Sequence, residues 1–138
     1  MKKLLICALA LPFLGMMRVR HAGTDWTNVA EVRSGQWPIN LQRDGATYYL
    51  IFRDQQVLNA ESLDTLPFPN LGQLQYLGKA LTALKAGNNG DEAQFKDYTL
   101  KRADKKGDGI WYILRYQEGL TDFRQSEADI MCKTIKGL

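Results

Sequence analysis

Thr47-Tyr-Tyr-Leu-Ile-Phe-Arg-Asp-Gln-Gln-Val-Leu-Asn59 decides how this chain is read, because an echo of it returns near the C-terminus. The echo is Ile110-Trp-Tyr-Ile-Leu-Arg-Tyr-Gln-Glu-Gly-Leu-Thr-Asp122. Each copy is an apolar, aromatic-rich run that ends in a polar turn and then resumes. The unbroken apolar character of Thr47 to Arg53 predicts a central strand covered on both sides for part of its length. In the second copy, alternation sets Ile110, Tyr112, Leu114 and Tyr116 on one face and Trp111 and Ile113 on the other.

Outward from the first copy, Ile39-Asn-Leu-Gln-Arg43 alternates apolar with polar residues as a half-buried strand does. Asp44-Gly45 then makes a hairpin signal, since Gly takes positive φ. Upstream, Ser34-Gly-Gln-Trp-Pro38 is a turn, and Thr24 to Arg33 is an entering strand or extended arm. Downstream, Val57 to Leu63 is expected as a third strand. Leu66-Pro-Phe-Pro69 is expected to stop the sheet, because two prolines remove two donors and fix φ. Asn70 follows as a helix N-cap with Gln73 three residues on. Leu71, Leu74, Leu77, Leu81 and Leu84 then recur at helical spacing, with Gly87 as the stop.

Asn88 to Glu92 is expected as a polar linker, Phe95 to Arg102 as a strand, and Asp104-Lys-Lys-Gly-Asp-Gly109 as a hairpin loop. Leu120 to Arg124 follows the second copy as a short strand. Ser126 is expected to cap a final helix, with Asp129 at the box position and Ala128, Met131, Ile135 and Leu138 as its buried stripe. The two halves repeat the same order at an offset of about 63 residues. That order favours duplication over the limited vocabulary of strand chemistry. The expected fold class is α+β: an antiparallel sheet built from two similar strand-strand-strand-helix halves, about 24–90 and 91–138, with both helices on one face.

Residues 1–23 have the layout of a signal peptide, a basic start followed by an apolar run. The run is short for a membrane span and contains Pro12, which makes a transmembrane anchor the second choice. No clean small-x-small triplet marks the cut, so cleavage is placed between Met17 and Thr24. Cys7 lies too early in the run, behind Ile6, for lipidation. The chain has 18 Lys plus Arg against 15 Asp plus Glu, but Lys2, Lys3, Arg18 and Arg20 precede Thr24, leaving 14 against 15. A net charge near −1 lacks the positive footprint of nucleic-acid binding.

Cys132 is the one cysteine after position 23, so no intrachain disulfide is expected there, and it is read as a small core residue. The one histidine, His21, sits at the leader junction. Without it, histidine-dependent nucleophilic triads and histidine metal sites are excluded. Asp104 to Gly109 begins like a calcium loop, but Lys106 and Arg115 stand where oxygen ligands are needed. No glycine-rich phosphate loop opens a helix. Neither cofactor nor metal is expected. Asp54 and Asp122 occupy matching strand-to-turn junctions, where carboxylates usually cap turns.

Tyr49-Leu-Ile-Phe-Arg-Asp54 and Trp111-Tyr-Ile-Leu-Arg-Tyr116, behind the leader, resemble small exported proteins of Bacteroidetes-type bacteria without assigned function. That resemblance implies export, to the periplasm or outside the cell, and supplies no site residues. At fold level the repeated halves are similar to the PUR- and PC4-like single-strand binders, whose halves carry four strands before the helix.

The expected function is a non-enzymatic exported binding or assembly module with a protein, peptide or glycan partner. Tyr48, Phe52, Arg53, Trp111, Tyr112, Arg115 and Tyr116 are its candidate binding residues, on an exposed aromatic patch of more than a few hundred Å2. The alternatives are single-stranded nucleic-acid binding, and a hydrolase using Asp54 and Asp122.

Overall fold

A computed structural model describes residues 26–56 and 63–138. The expected leader, with Cys7 and His21, lies outside them, as do all residues but Leu63 of the strand expected at Val57 to Leu63. The described chain is α+β, and each half runs through four strands into a helix. The first half comprises β1 (Thr27–Arg33), β2 (Ile39–Asp44), β3 (Thr47–Phe52), β4 (Asp64–Phe68) and α1 (Leu71–Lys85). The second comprises β5 (Glu92–Gln94), β6 (Tyr98–Lys105), β7 (Gly109–Tyr116), β8 (Gly119–Arg124) and α2 (Gln125–Lys136). The strands form two antiparallel sheets, ordered β1-β2-β3-β4 and β5-β6-β7-β8. Among the described residues each half thus has four strands before its helix, where the repeat unit was expected to hold three.

The extra strands come from segments whose local chemistry argues against a sheet. Pro67 lies inside β4, opposite Tyr49, where a stop was expected. β4 is an edge strand, and an edge tolerates the loss of one backbone donor. The expected linker is tied down as well: Gly90 N donates to Arg102 O and Arg102 N donates to Asp91 O, each at 2.9 Å, and β5 follows at once. Phe95 to Asp97 turns rather than extends, with Phe95 N donating to Tyr98 O at 2.9 Å, so β6 starts at Tyr98 instead of Phe95.

α1 forms as its sequence dictates. Asn70 Oδ1 accepts from Gln73 N at 2.9 Å, and Leu74, Leu77, Leu81 and Leu84 are buried. Full burial of one such leucine contributes roughly 1.5–3 kcal/mol. At the far end the Arg102 guanidinium donates to the carbonyls of Leu84, Lys85 and Gly87, supplying cationic partners that a helix C-terminus lacks. α2 has Arg124 as its N-cap, two residues before the expected Ser126. Its N-terminus is completed by Glu127, whose Oε1 accepts from Arg124 N at 2.9 Å, while Asp129 bonds Gln125 and Lys85. Ala128, Met131 and Ile135 are buried as expected, but Leu138 is 45% exposed because the helix ends at Lys136. Cys132 is half-buried against the core, its Sγ 3.7 Å from Gly78 O.

The helices pack antiparallel, with Ile135 against Gly78 and Lys85 beside Asp129. α1 packs on β3 and β4 of its own half and on β5 and β6 of the other; α2 packs on β7, β8 and β1. One core thus draws on both halves, with Leu41, Leu50, Phe52 and Leu66 from the first sheet and Leu100, Tyr112, Leu114 and Phe123 from the second. A bidentate ion pair joins β1 to α2: Arg33 Nε and Nη2 donate to Glu127 at 2.8 and 2.7 Å, and Nη2 also reaches Asp122 O at 2.7 Å. Burial acts to raise the Glu127 carboxyl, but hydrogen bonds from Arg33 and Arg124 N, with their charges, hold it below its ordinary value.

A carboxyl depressed in the folded state stabilises fully above its unfolded value and loses that contribution as pH falls through the folded one. Chemical denaturation across this window is expected to show the wild type losing more stability on going from about pH 6 to about pH 3 than Glu127→Gln does. At neutral pH, Arg33→Ala should cost about 2–3 kcal/mol, the scale of lost charge-assisted hydrogen bonds. Tyr98 behaves oppositely. Its ring stacks on Phe95 at 4.5 Å, but its buried hydroxyl has no hydrogen-bond partner among the described residues. Tyr98→Phe is therefore expected to leave the urea midpoint unchanged or raise it, and a clear loss would reveal a partner for the hydroxyl.

Candidate functional site

The seven candidate residues divide between two sides of the sheets. Tyr48, Phe52 and Tyr112, at 5%, 0% and 0% exposure, point into the shared core and have no part in a surface. The Tyr112 hydroxyl donates to Gln125 Oε1 at the start of α2. Tyr116 packs against the core and borders a depression with Asp54, Asp64 and Glu118. Arg53 is half-buried, with Nε unpartnered among the described residues. Trp111 and Arg115 share the opposite, outer face of β7. The expected patch of exposed aromatics is not present among the described residues: those of the two runs are buried or half-buried. The physical reason is that inward positions of both runs are needed to fill one core between two sheets and two helices.

The outer faces of the two sheets differ. On the first, Tyr49 stacks on Trp26 with centroids 4.3 Å apart, and Gln42 and Ile51 are buried. On the second, register aligns four cross-strand rows: Thr99–Arg115–Leu120, Lys101–Ile113–Asp122, Ala103–Trp111–Arg124, and Lys105–Gly109. Each row carries one cation, and Lys101, Lys105, Arg115 and Arg124 are all exposed. The carboxylates beside them are Asp122, paired with Lys105 at 3.4 Å, Glu92, which stands opposite Lys101 on β5, and Asp108, in the loop before β7.

Trp111 lies at the centre of this face but is only 8% exposed. Lys105 Nζ is 3.7 Å from its ring centroid and Arg124 Cζ 4.8 Å, and its Nε1 donates to Asp108 Oδ2 at 3.0 Å. The ring quadrupole attracts both cations, at about 0.5–1 kcal/mol each on a surface. The indole is thereby a platform that holds charge in place rather than an open stacking surface.

At the margin, the turn after β1 faces β8 across an open groove of about 460 Å3 lined by Arg33, Trp37, Gln55, Trp111, Asp122 and Arg124. Gln55 crosses from the first half, its N donating to Leu120 O at 2.8 Å and its Nε2 to Asp122 Oδ1 at 3.0 Å. Asp54 accepts from Gln56 N at 2.9 Å and from Leu120 N at 3.1 Å, so both candidate hydrolytic carboxylates hold loop and strand together. Asp54 shares its depression with Asp64, not with Asp122. Burial, then the Asp54 charge, push the Asp64 carboxyl upward. Among the described residues no group of three or more His, Cys, Asp or Glu side chains is arranged to hold a metal ion.

Alternation alone places Trp111 and Arg115 together, since they are four residues apart on one strand. Lys101, Lys105, Arg124 and Trp37 were missed because they come from neighbouring elements. A sequence does not state register across a loop.

Replacing both Lys105 and Arg124 by Ala should uncover Trp111. Its emission should shift to the red and be quenched faster by acrylamide, and the difference should vanish in a Trp111→Phe background. Unchanged quenching would mean that backbone, not cations, shields the ring.

Comparison with protein-family models, curated proteins and solved structures finds no match to this chain.

Proposed function

We propose that the protein is an exported, non-enzymatic binding or assembly module that meets its partner through the outer face of the second sheet. The observation that carries this reading is the row of four exposed cations, one per cross-strand rung, around a shielded tryptophan. Such a face combines charge that steers association with an aromatic centre and a groove at its border. The occupied carboxylates of Asp54 and Asp122 support a binding role over acid–base chemistry. Export rests on the layout of residues 1–23.

Single-stranded nucleic-acid binding draws on the same face, and four strands before each helix is the arrangement of the PUR- and PC4-like halves. It ranks second because base stacking needs a free aromatic plane, and Lys105 and Arg124 lie over the Trp111 ring.

Amine-reactive cross-linking in intact cells, read by mass spectrometry, tests the module. Partner cross-links are expected at Lys101 and Lys105 on the sheet. Cross-links concentrated instead at Lys79 and Lys133 on the helices, or no partner at all, would remove the proposal.

A further inference from the structure

Resting on that reading, we infer that the outer face of the second sheet takes an extended acidic peptide segment of a partner protein, with carboxylates at every second position. By backbone register the cation-bearing positions advance one row at a time, Arg115, then Lys101, then Arg124, then Lys105, with the Lys105 and Arg124 side chains both leaning over Trp111. Successive rows lie two residues apart along the strands, about 7 Å. An extended chain repeats its side chains toward one face with the same two-residue period. A segment lying along the strand direction therefore brings alternate carboxylates over successive rows, whereas a helix would present its charges every three or four residues.

Charge distribution argues for a short segment over a membrane or a nucleic acid. Residues 24–138 hold 14 cations and 15 carboxylates. With the four cations of this face and its Glu92, Asp108 and Asp122 set aside, the rest of the domain has 10 cations against 12 carboxylates. Screening over about 8 Å lets a segment confined to the sheet feel mainly the basic face. A bilayer or a long polyanion extends past that range and meets the acidic remainder. The ion pair of Lys105 with Asp122 is exposed and weak enough to exchange for a partner carboxylate. Lys105 and Arg124 sit on the Trp111 ring, so their engagement changes the surroundings of the indole.

The experiment titrates the domain with two twelve-residue peptides of identical Glu and Thr content, one alternating and one with its Glu residues in blocks. Anionic phospholipid vesicles and a thymidine oligonucleotide are run beside them, and the signal is the fluorescence difference between wild type and Trp111→Phe. The alternating peptide is expected to bind several-fold more tightly than the blocked one, to weaken as salt is raised, and to lose roughly tenfold or more in Arg115→Glu with Lys101→Glu, but not in Lys79→Glu. Equal affinity for the two peptides would reduce the interaction to unspecific attraction and overturn the inference, as would no peptide binding or tighter binding of vesicles or oligonucleotide. Should the peptides fail while Lys101 and Lys105 still cross-link a partner in cells, the face is an interaction surface and the chemistry of its occupant is different. Should those cross-links also be absent, the module reading itself fails.

Discussion

Each helix of this protein covers strands of both halves, and the rest of the structure depends on that exchange. α1 belongs to the first half yet packs on β5 and β6; α2 belongs to the second yet packs on β1. A four-stranded sheet with one helix would be a small unit with a thin core, because the fraction of surface buried on folding rises with chain size. Sharing the helices turns two thin cores into one that runs from Leu41 through Leu77 and Met131 to Tyr112. The Arg33–Glu127 pair spans the same join, 94 residues apart in sequence. Folding of either half should therefore be strongly coupled to the other.

The exchange also explains how the sheet edges are closed. An edge strand exposes unpaired backbone groups that invite pairing with another chain. β8 is covered by the first half: Gln55 N and Asp54 Oδ1 bond Leu120, and Arg33 reaches Asp122 O. β4 carries Pro67, β5 is three residues long, and the register of β1 shifts twice against β2. Each is a recognised way of blunting an edge. With edges managed in these ways, the outer face of the second sheet is left carrying its four exposed cations.

On that face, position in the fold outweighs residue type. Tyr49 and Trp111 both face outward from the repeated runs, but Tyr49 lies under Trp26 and Trp111 lies under Lys105 and Arg124. The same strand pattern thus yields a closed outer face in one half and a charged one in the other. The neighbours, brought by register from other strands, make the difference.

Much of the secondary structure was legible because its causes are local. The α1 leucines recur with a helical period, Asn70 caps its own helix, and Asp44-Gly45 turns its own hairpin, all within a few residues. Alternation in Ile110 to Tyr116 likewise separated Tyr112 from Trp111 correctly. What the tertiary structure alone decided depends on contacts distant in sequence. Pro67 could join a strand because that strand is at an edge. Tyr48 and Phe52 went inward because the core needed their volume. Four cations from β6, β7 and β8 came together because register, set by pairing across turns, determines which side chains share a row. Local periodicity specifies which face of an element is apolar, but only packing specifies what that face meets.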